Sequence, residues 1–329
     1  MLLADLTTLR LGGPAARVVT ATSTDALVDT VRSADAAGEP VLIVGGGSNL
    51  VVADAGWPGL VVLVRTSGIG CLNGAVTADA GVGWEELVAA SVQERRSGLA
   101  AMSGIPGLTG ATPVQNVGAY GAEVADLITA LTVLDRSSGS VETWDPKRCG
   151  FGFRTSVFKH TDRYVVLDVT FALPRAEEAP PIRYAELARR LGIEPGRTAP
   201  SEQVREVVLD LRRSKGMLLD ASDHDTWSVG SFFVNPFVSA AQVPDGCPNW
   251  TIDGAVKLSA AWLIENAGFG KGFGNDRVAL SSKHTLALTN RGSATTEDLL
   301  ALAREIRDGV QARFGIRLRP EAHLTGVTL

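Results

Sequence analysis

The chain is 329 residues long, 45% hydrophobic and 20% charged, with a net charge of −5. That length gives core enough for two or three domains, and the composition is that of a soluble globular protein. A net negative chain lacks the basic footprint of a general nucleic-acid binder. No apolar run approaches the ~18 residues of a membrane span, and residues 1–5 have neither the basic nor the apolar region of a signal peptide. The three cysteines, Cys71, Cys149 and Cys247, lie far apart with no C-x-x-C, which argues against a disulfide scaffold and fits a cytoplasmic enzyme.

A small α/β unit comes first. Thr24 is placed to cap a helix whose apolar face is Leu27, Val28 and Val31 and which Gly38 ends. Val41-Leu42-Ile43-Val44 and Leu60-Val61-Val62-Leu63-Val64 are apolar, β-branched runs expected as strands. Residues 75–80 read as another strand and 84–94 as a helix. From 103 to 121, glycine and small residues are too frequent for regular structure, and the stretch is too apolar for disorder. Residues 127–134 and 164–171 read as strands, the first long and apolar enough that a helix also fits.

The stretch 174–181 reads as an exposed loop. Ser201 is placed to cap a helix carrying Val204, Val207, Val208 and Leu211, with Arg212, Arg213 and Lys215 at its end, where cations suit the helix dipole. After Gly216 the chain is rich in turns. Residues 258–266 read as a helix stopped by Gly268. The strongest helix begins near Thr295, with Leu299, Leu300, Ala303, Ile306, Val310 and Phe314 at helical spacing and Gly315 as its stop. Ile316 and Leu318 then look strand-like before Pro320-Glu321.

Gly45-Gly46-Gly47-Ser48-Asn49, directly after the strand 41–44, is the most informative stretch. Glycines let backbone approach a ligand, and N–H groups pointing one way hold a phosphate. A Rossmann fingerprint would need Gly at position 50, where Leu50 stands, and an acid near the end of the next strand, which instead reaches Arg65. No Lys-Ser or Lys-Thr follows, so a P-loop is excluded. A tight strand-to-turn connection and a phosphate cradle are both open for this stretch alone.

Four other segments differ from plain scaffold. Gly104-Ile105-Pro106-Gly107 and Gln115-Asn116-Val117-Gly118-Ala119-Tyr120-Gly121 let backbone pack against a flat ligand, or form a compact glycine loop. Phe151-Gly152-Phe153-Arg154-Thr155-Ser156-Val157-Phe158-Lys159 puts an arginine among aromatics, as an anion binder or a surface strand. Val229-Gly230-Ser231-Phe232-Phe233-Val234-Asn235-Pro236 offers a hydroxyl in a dry setting, or a strand with one polar residue. Leu318-Arg319-Pro320-Glu321 carries a carboxylate of a kind usually exposed. The four histidines, His160, His224, His284 and His323, show no metal-ligand spacing. His224, between two aspartates, reads as part of a solvated turn. There is no G-x-S-x-G elbow for hydrolase chemistry.

In combination and in this order, these segments resemble the UDP-N-acetylenolpyruvoylglucosamine reductase (MurB) family of peptidoglycan synthesis. Thr8-Leu9-Arg10-Leu11-Gly12-Gly13-Pro14-Ala15 is similar to the family's N-terminal strand, and Ala261-Trp262-Leu263-Ile264 also follows its order. The resemblance spans nearly the whole chain. It implies an α+β fold: a two-part FAD-binding module of the vanillyl-alcohol-oxidase (PCMH) type plus a C-terminal α+β substrate-binding domain. The implied boundaries are 1–67 and 68–212 for the two flavin subdomains, with 317–329 returning to the second, and 213–316 for the substrate domain. FAD held non-covalently and NADPH are the implied cofactors, with a nucleotide sugar as the small-molecule partner. No nucleic acid and no membrane insertion are expected, and a monomer is the working expectation.

By the same resemblance, flavin contacts fall on Val44, Gly45, Gly46, Gly47, Ser48, Asn49 and Leu50, on Ile105, Pro106, Gly107, Gly110 and Ala111, and on Asn116, Gly118, Ala119 and Tyr120. Hydride from the flavin adds to the terminal carbon of an enolpyruvyl ether. The resulting enolate needs charge stabilisation and a proton. Arg154 and Glu321 are implied beside the substrate carboxylate, and Ser231 as the proton donor. A serine serves because the enolate is strongly basic and the transfer is short and fixed. Glu321 next to a carboxylate makes best sense protonated, a form that burial favours. Lys215 matches a phosphate-contacting lysine, with Arg212 one turn earlier. Asn235 and Asn266 match positions that hold the nucleotide sugar, and Tyr184 a substrate-loop tyrosine.

Phe153, Val234 and His323 depart from the family's usual residues, and none is a residue the chemistry needs. Two other readings compete: a flavin oxidase of the same broad fold, and a non-catalytic nucleotide-binding protein. No histidine lies in the two glycine-rich segments to attach a flavin covalently. A non-catalytic protein has no use for Arg154, Ser231 and Glu321 together.

Overall fold

The computed structural model describes residues 1–252 and 254–329. Packing divides them between two units. The first is Ala16–Gly46 with Pro58–Ser214, and the second is Met1–Ala15 with Gly47–Trp57 and Lys215–Leu329. These units cut the chain elsewhere than the sequence-based boundaries after 67 and 316. The segment 317–329 lies in the second unit, where His323–Thr325 pairs in parallel with Leu50–Val52.

In the first unit, helix α1 (Thr24–Ala36) buries Leu27, Val28, Val31 and Ala34. Its cap is Ser23, not Thr24. Ser23 is extended and its Oγ accepts from the Ala26 N–H at 3.2 Å, while Thr24 is already helical. The strand Val41–Val44 runs parallel to Trp57–Val64, Val41 opposite Leu60 and Val44 opposite Leu63. With Ala15–Ala21 they form a three-stranded sheet with Trp57–Val64 in the middle.

A five-stranded antiparallel sheet runs in the order Ser140–Trp144, Ile128–Asp135, Tyr164–Ala172, Ala75–Asp79, Ile69–Leu72. The stretch read from 127 to 134 is therefore strand and not helix, with bounds Ile128–Asp135. Leu131 and Val133 pack with Trp84 and Leu87 of helix α2 (Trp84–Gln93), whereas Leu134 packs with α1. Because Leu131, Val133 and Leu134 are buried on opposite faces of the strand, its apolar residues do not alternate with polar ones as they would on a half-buried strand.

Helix α3 (Ala185–Leu191) and helix α4 (Ser201–Ser214) share a small core with Ala100 and Ala101. Ser201 is the first residue of α4, 3% exposed, and its hydroxyl has no hydrogen-bond partner, so it does not act as the predicted cap.

In the second unit, helix α5 (Ala260–Asn266) and helix α6 (Thr296–Phe314) pack around Phe232, Phe233 and the hairpin formed by Val278–Leu280 and Leu288–Asn290. Helix α5 starts later than the sequence suggests. Leu258 ends the strand Ala255–Leu258, and the Ser259 Oγ caps the helix at the Trp262 N–H, 3.3 Å away. Helix α6 begins where the sequence placed it, and Thr295 caps it in a capping box with Asp298. A second carboxylate joins it: Asp54 accepts from the Thr296 N–H at 2.8 Å and the Glu297 N–H at 3.1 Å.

Two predicted strands are absent. Residues 8–14 turn at Arg10 (φ 55°) and Gly12 (φ 125°), left-handed backbone that no strand accommodates, so the strand begins at Ala15. Ile316 and Leu318 are buried but irregular. Pro320 follows them without an N–H, and makes only an isolated bridge to Phe233. The turn at His224 is a 3-10 helix, His224–Thr226, and is not solvated throughout, since Asp225 is 4% exposed.

Candidate active site

The two glycine-rich segments meet in the first unit. A Cβ added to Gly46 would lie 2.8 Å from the Gly107 Cα, so neither backbone tolerates a side chain between them. A Cβ added to Gly45 would meet only the Leu108 side chain, at an ordinary contact distance of 3.5 Å. Arg65, the residue that spoiled the Rossmann fingerprint, donates from Nη1 to the carbonyls of Gly45 at 3.0 Å and Val64 at 2.6 Å. An acid there would face two carbonyls. Val44 is buried beneath the turn. Gly107 takes φ 123°, and its carbonyl accepts from the Trp84 N–H at 3.0 Å. Ile105 and Pro106 are half-buried beside it. The Gly110 backbone lies against Ala80, and Ala111 is exposed. Bare backbone from two segments, brought together without side chains between them, is the kind of surface that could hold a pyrophosphate.

After Gly46 the chain enters the second unit. Gly47 has φ 61°, and any Cβ there would overlap the Leu6 carbonyl. Its carbonyl accepts from the Thr8 N–H at 3.2 Å. Ser48 and Asn49 are half-buried. The Asn49 side-chain amide donates to the Glu321 carbonyl at 3.4 Å, and the Asn49 carbonyl accepts from the His323 N–H at 2.9 Å. Leu50 pairs with His323. On its other side the Glu321 segment runs antiparallel to the serine segment. The Glu321 N–H donates to the Phe232 carbonyl at 2.8 Å, and the Val234 N–H to the Arg319 carbonyl at 3.1 Å. Ser231 and Glu321 are thus on adjoining backbones, both half-buried.

The serine segment is stitched to the hairpin 278–290. The Phe232 N–H donates to the Leu286 carbonyl at 2.8 Å and the Asn290 N–H to the Trp227 carbonyl at 3.1 Å. Gly230, at φ 73°, makes the turn that presents Ser231. Phe232 and Phe233, 0% and 1% exposed and stacked edge to face at 5.0 Å, anchor the residues just after it.

Arg154 lies in the first unit, at φ 53° in a turn rather than on a strand. Its Nη1 donates to the Asn116 carbonyl at 3.2 Å and its Nη2 to the Gly118 carbonyl at 2.5 Å. Lys159 closes the turn, its Nζ donating to the Arg154 carbonyl at 2.8 Å. Gly118 and Ala119 pair with Ala122 and Glu123 in a short hairpin whose corner is Tyr120, at φ 51°. The Tyr120 ring meets the Tyr184 ring edge to face at 5.5 Å, and burial pushes its phenol up to about 12, against the pull of Arg212. The Arg212 guanidinium is held below its usual value by burial, which Tyr120 and Glu85 oppose. Tyr184, by contrast, is 42% exposed.

Lys215 is half-buried in the second unit beside His284. Burial, then Lys215 and Lys271, drive His284 down to about 4, so this imidazole is neutral at neutral pH. The Asn235 Oδ1 accepts from the Ala260 N–H at 2.9 Å, at the start of α5. Asn266 is exposed at the other end of that helix, its Nδ2 donating to the Trp262 carbonyl at 2.9 Å.

Three features escaped sequence reasoning. Asp225 accepts from the Ser282 N–H at 3.2 Å, from the Ser282 hydroxyl, and from Arg291 Nη1 at 2.7 Å, pinning the chain between Lys215 and Ser231 to the hairpin. Glu85 gathers the Gly104 N–H and Arg205 Nη2, each at 2.5 Å. Phe237, Lys257 and Trp250 align across a three-stranded sheet, with the Lys257 ammonium 5.3 Å from the centroid of a half-exposed Trp250 ring. A turn aspartate, a helix-start glutamate and a lone tryptophan have no sequence signal of their own. Among the described residues no cluster of three His, Cys, Asp or Glu side chains is arranged to hold a metal ion, and no helix is long and apolar enough to cross a membrane.

Residues 221–325 match the model of the UDP-N-acetylenolpyruvoylglucosamine reductase C-terminal domain, and residues 15–145 that of an FAD binding domain. UDP-N-acetylenolpyruvoylglucosamine reductase of Thermobifida fusca is 52% identical, over 99% of this chain and 97% of its own. The enzyme of that name from Saccharopolyspora erythraea is 54% identical, over 99% and 95%. The crystal structure of UDP-N-acetylenolpyruvylglucosamine reductase (MurB) from Thermus caldophilus superposes with a TM-score of 0.70 at 25% identity, covering 99% of this chain and 97% of that one. With half of its residues shared end to end with such relatives, this chain belongs to the UDP-N-acetylenolpyruvoylglucosamine reductase family.

Proposed function

We propose that this chain catalyses the NADPH-dependent, FAD-mediated reduction of UDP-N-acetylglucosamine enolpyruvate to UDP-N-acetylmuramate, a cytoplasmic step of peptidoglycan precursor synthesis. One observation carries the reading beyond family membership. The Glu321 backbone is hydrogen-bonded on one side to Phe232, next to Ser231, and on the other to Asn49, the end of the glycine turn. Hydrogen bonds to the Glu321 backbone therefore join the segments that carry Glu321, Ser231 and the end of the glycine turn.

Bound flavin, reduced by NADPH, supplies the hydride that the terminal enolpyruvyl carbon accepts. The residues of the chain handle the charge and the proton. Ser231 gives its hydroxyl proton to the carbon next to the substrate carboxylate, where the enolate is most basic. Phe232 and Phe233, packed in the core, hold the serine still, so the transfer runs over a short fixed path. Glu321, in its neutral form, donates to the substrate carboxylate as charge spreads onto it. Arg154, by resemblance, counters the same charge. Lys215, with Arg212, takes the phosphates. Asn235, Asn266 and Tyr184 hold the nucleotide sugar.

The test is NADPH oxidation with and without UDP-N-acetylglucosamine enolpyruvate. Turnover only with the enolpyruvate is the expected result. Ser231→Ala should keep flavin reduction by NADPH and lose substrate reduction by about 10²–10⁴-fold. Oxidation of NADPH that is indifferent to the enolpyruvate would point to an oxidase instead.

A further inference from the structure

We infer that Asn116 is a positioning residue for Arg154, and that its side chain takes no part in holding the flavin. The inference rests on the role proposed above for Arg154. Asn116 is 2% exposed, and its φ is 46°, a conformation asparagine tolerates better than most residues. Its side chain has little left to offer a ligand. Nδ2 donates to Glu123 Oε2 at 2.7 Å and to the Gly152 carbonyl at 3.1 Å, and Oδ1 accepts from the Ala125 N–H at 3.1 Å. Both N–H donors of the amide are committed.

These bonds close a ring around the arginine. Gly152 and Thr155 exchange backbone hydrogen bonds at 3.0 and 3.3 Å, forming the turn that carries Arg154. The Asn116 amide grips that turn at Gly152, and the Asn116 carbonyl receives the guanidinium the turn presents. One residue thus fixes both the base of the arginine and its tip. An unrestrained arginine keeps a large rotamer entropy that binding would have to remove. Holding the turn and the guanidinium by the same residue removes that freedom before substrate arrives. The second carbonyl, on Gly118, lies two residues on, in the short hairpin where Gly118 pairs with Glu123.

The test uses Asn116→Gly, which permits the positive φ and deletes the amide, with Asn116→Asp as a second variant that keeps the shape but sets a carboxylate against Glu123. FAD titration should give an affinity within about threefold of wild type, and flavin reduction by NADPH should be equally preserved, while substrate reduction slows by about thirtyfold. In an Arg154→Lys background, Asn116→Gly should slow that step by less than about threefold, because the residue acts through the arginine. A tenfold or greater loss of FAD affinity with an unchanged substrate step in the loaded enzyme would make Asn116 a flavin ligand and overturn the inference. Equal slowing in both backgrounds would also overturn it, as would failure of both variants to fold, since either marks a general structural role. Failure of the functional reading looks different: wild type itself would not reduce the enolpyruvate.

Discussion

The side-chain amide of Asn49 donates to the carbonyl of Glu321 at 3.4 Å, across 272 positions of sequence. Together with the Glu321–Phe232 bond it places the carboxyl-bearing residue between the glycine turn and the serine segment. A neutral carboxyl and a carboxamide can both donate a hydrogen bond, and a methyl group cannot. Glu321→Gln should therefore retain more of the substrate step than Glu321→Ala, which should lose about 10²–10³-fold. The Gln variant should also lose one ionisation from the pH profile of that step. Full activity with an unaltered pH profile in the Gln variant would remove the proposed role of a protonated Glu321.

Gly45 and Gly46 are neighbours with opposite tolerances. A methyl on Gly46 would lie 2.8 Å from backbone, at the Gly107 Cα, and backbone cannot move cheaply. A methyl on Gly45 would meet the Leu108 side chain at 3.5 Å. Gly46→Ala should thus push the two glycine-rich segments apart and, if they hold the flavin as proposed, weaken FAD by about tenfold or more, and Gly45→Ala by less than about threefold. FAD titration monitored by flavin fluorescence separates them. Equal effects would mean that the segments do not need their close approach.

Gly309 sits inside α6, where a helix scale predicts that alanine is better by about 1 kcal/mol. The ring of Phe269 occupies the place of that methyl. Phe269 is 9% exposed and stacked edge to face on Phe273 at 4.9 Å, so it has nowhere to swing. Overpacking costs about 1–3 kcal/mol and should outweigh the helix gain. Gly309→Ala should lower the melting temperature, and a rise would show that Phe269 repacks freely.

Asp225 offers a test by pH. Burial alone would raise its pKa. The Ser282 hydrogen bonds and the Arg291 ion pair overcome that effect and hold it below the usual carboxylate range. A carboxyl whose folded pKa is depressed adds stability that is fully present above its unfolded value, near 4, and fades as pH falls through the lower folded value. Asp225→Asn should cost about 1–3 kcal/mol at neutral pH, with Arg291 able to turn toward water. That cost should shrink below about pH 4. A mutational cost that is the same at pH 3 and pH 7 would show that the charge plays no part.

Caps and strand limits show where local sequence is a sound guide. Thr295 and Gly315 were legible as the ends of α6 because their interactions are with their own neighbours. Ser23 displaced Thr24 because two capping residues stand side by side, and backbone angles choose between them. Asp54 at the start of α6 was not legible, since its partners lie 242 and 243 positions away. The same holds for Asn116. The family resemblance implied a flavin contact there, and its burial and three hydrogen bonds are visible only in the folded chain.

By itself the sequence determined the periodic elements, the glycine turns and the order of the chemistry-bearing motifs, because each depends on residues within a few positions of one another. It also showed that Gly45 to Leu50 is no Rossmann turn. Only the tertiary structure decided what those residues meet: Arg65 on the Gly45 carbonyl, Gly107 against Gly46, Glu321 between Asn49 and Phe232. Such contacts depend on backbones distant in sequence coming within hydrogen-bond reach. That proximity follows from how the cores pack, and no single segment encodes it.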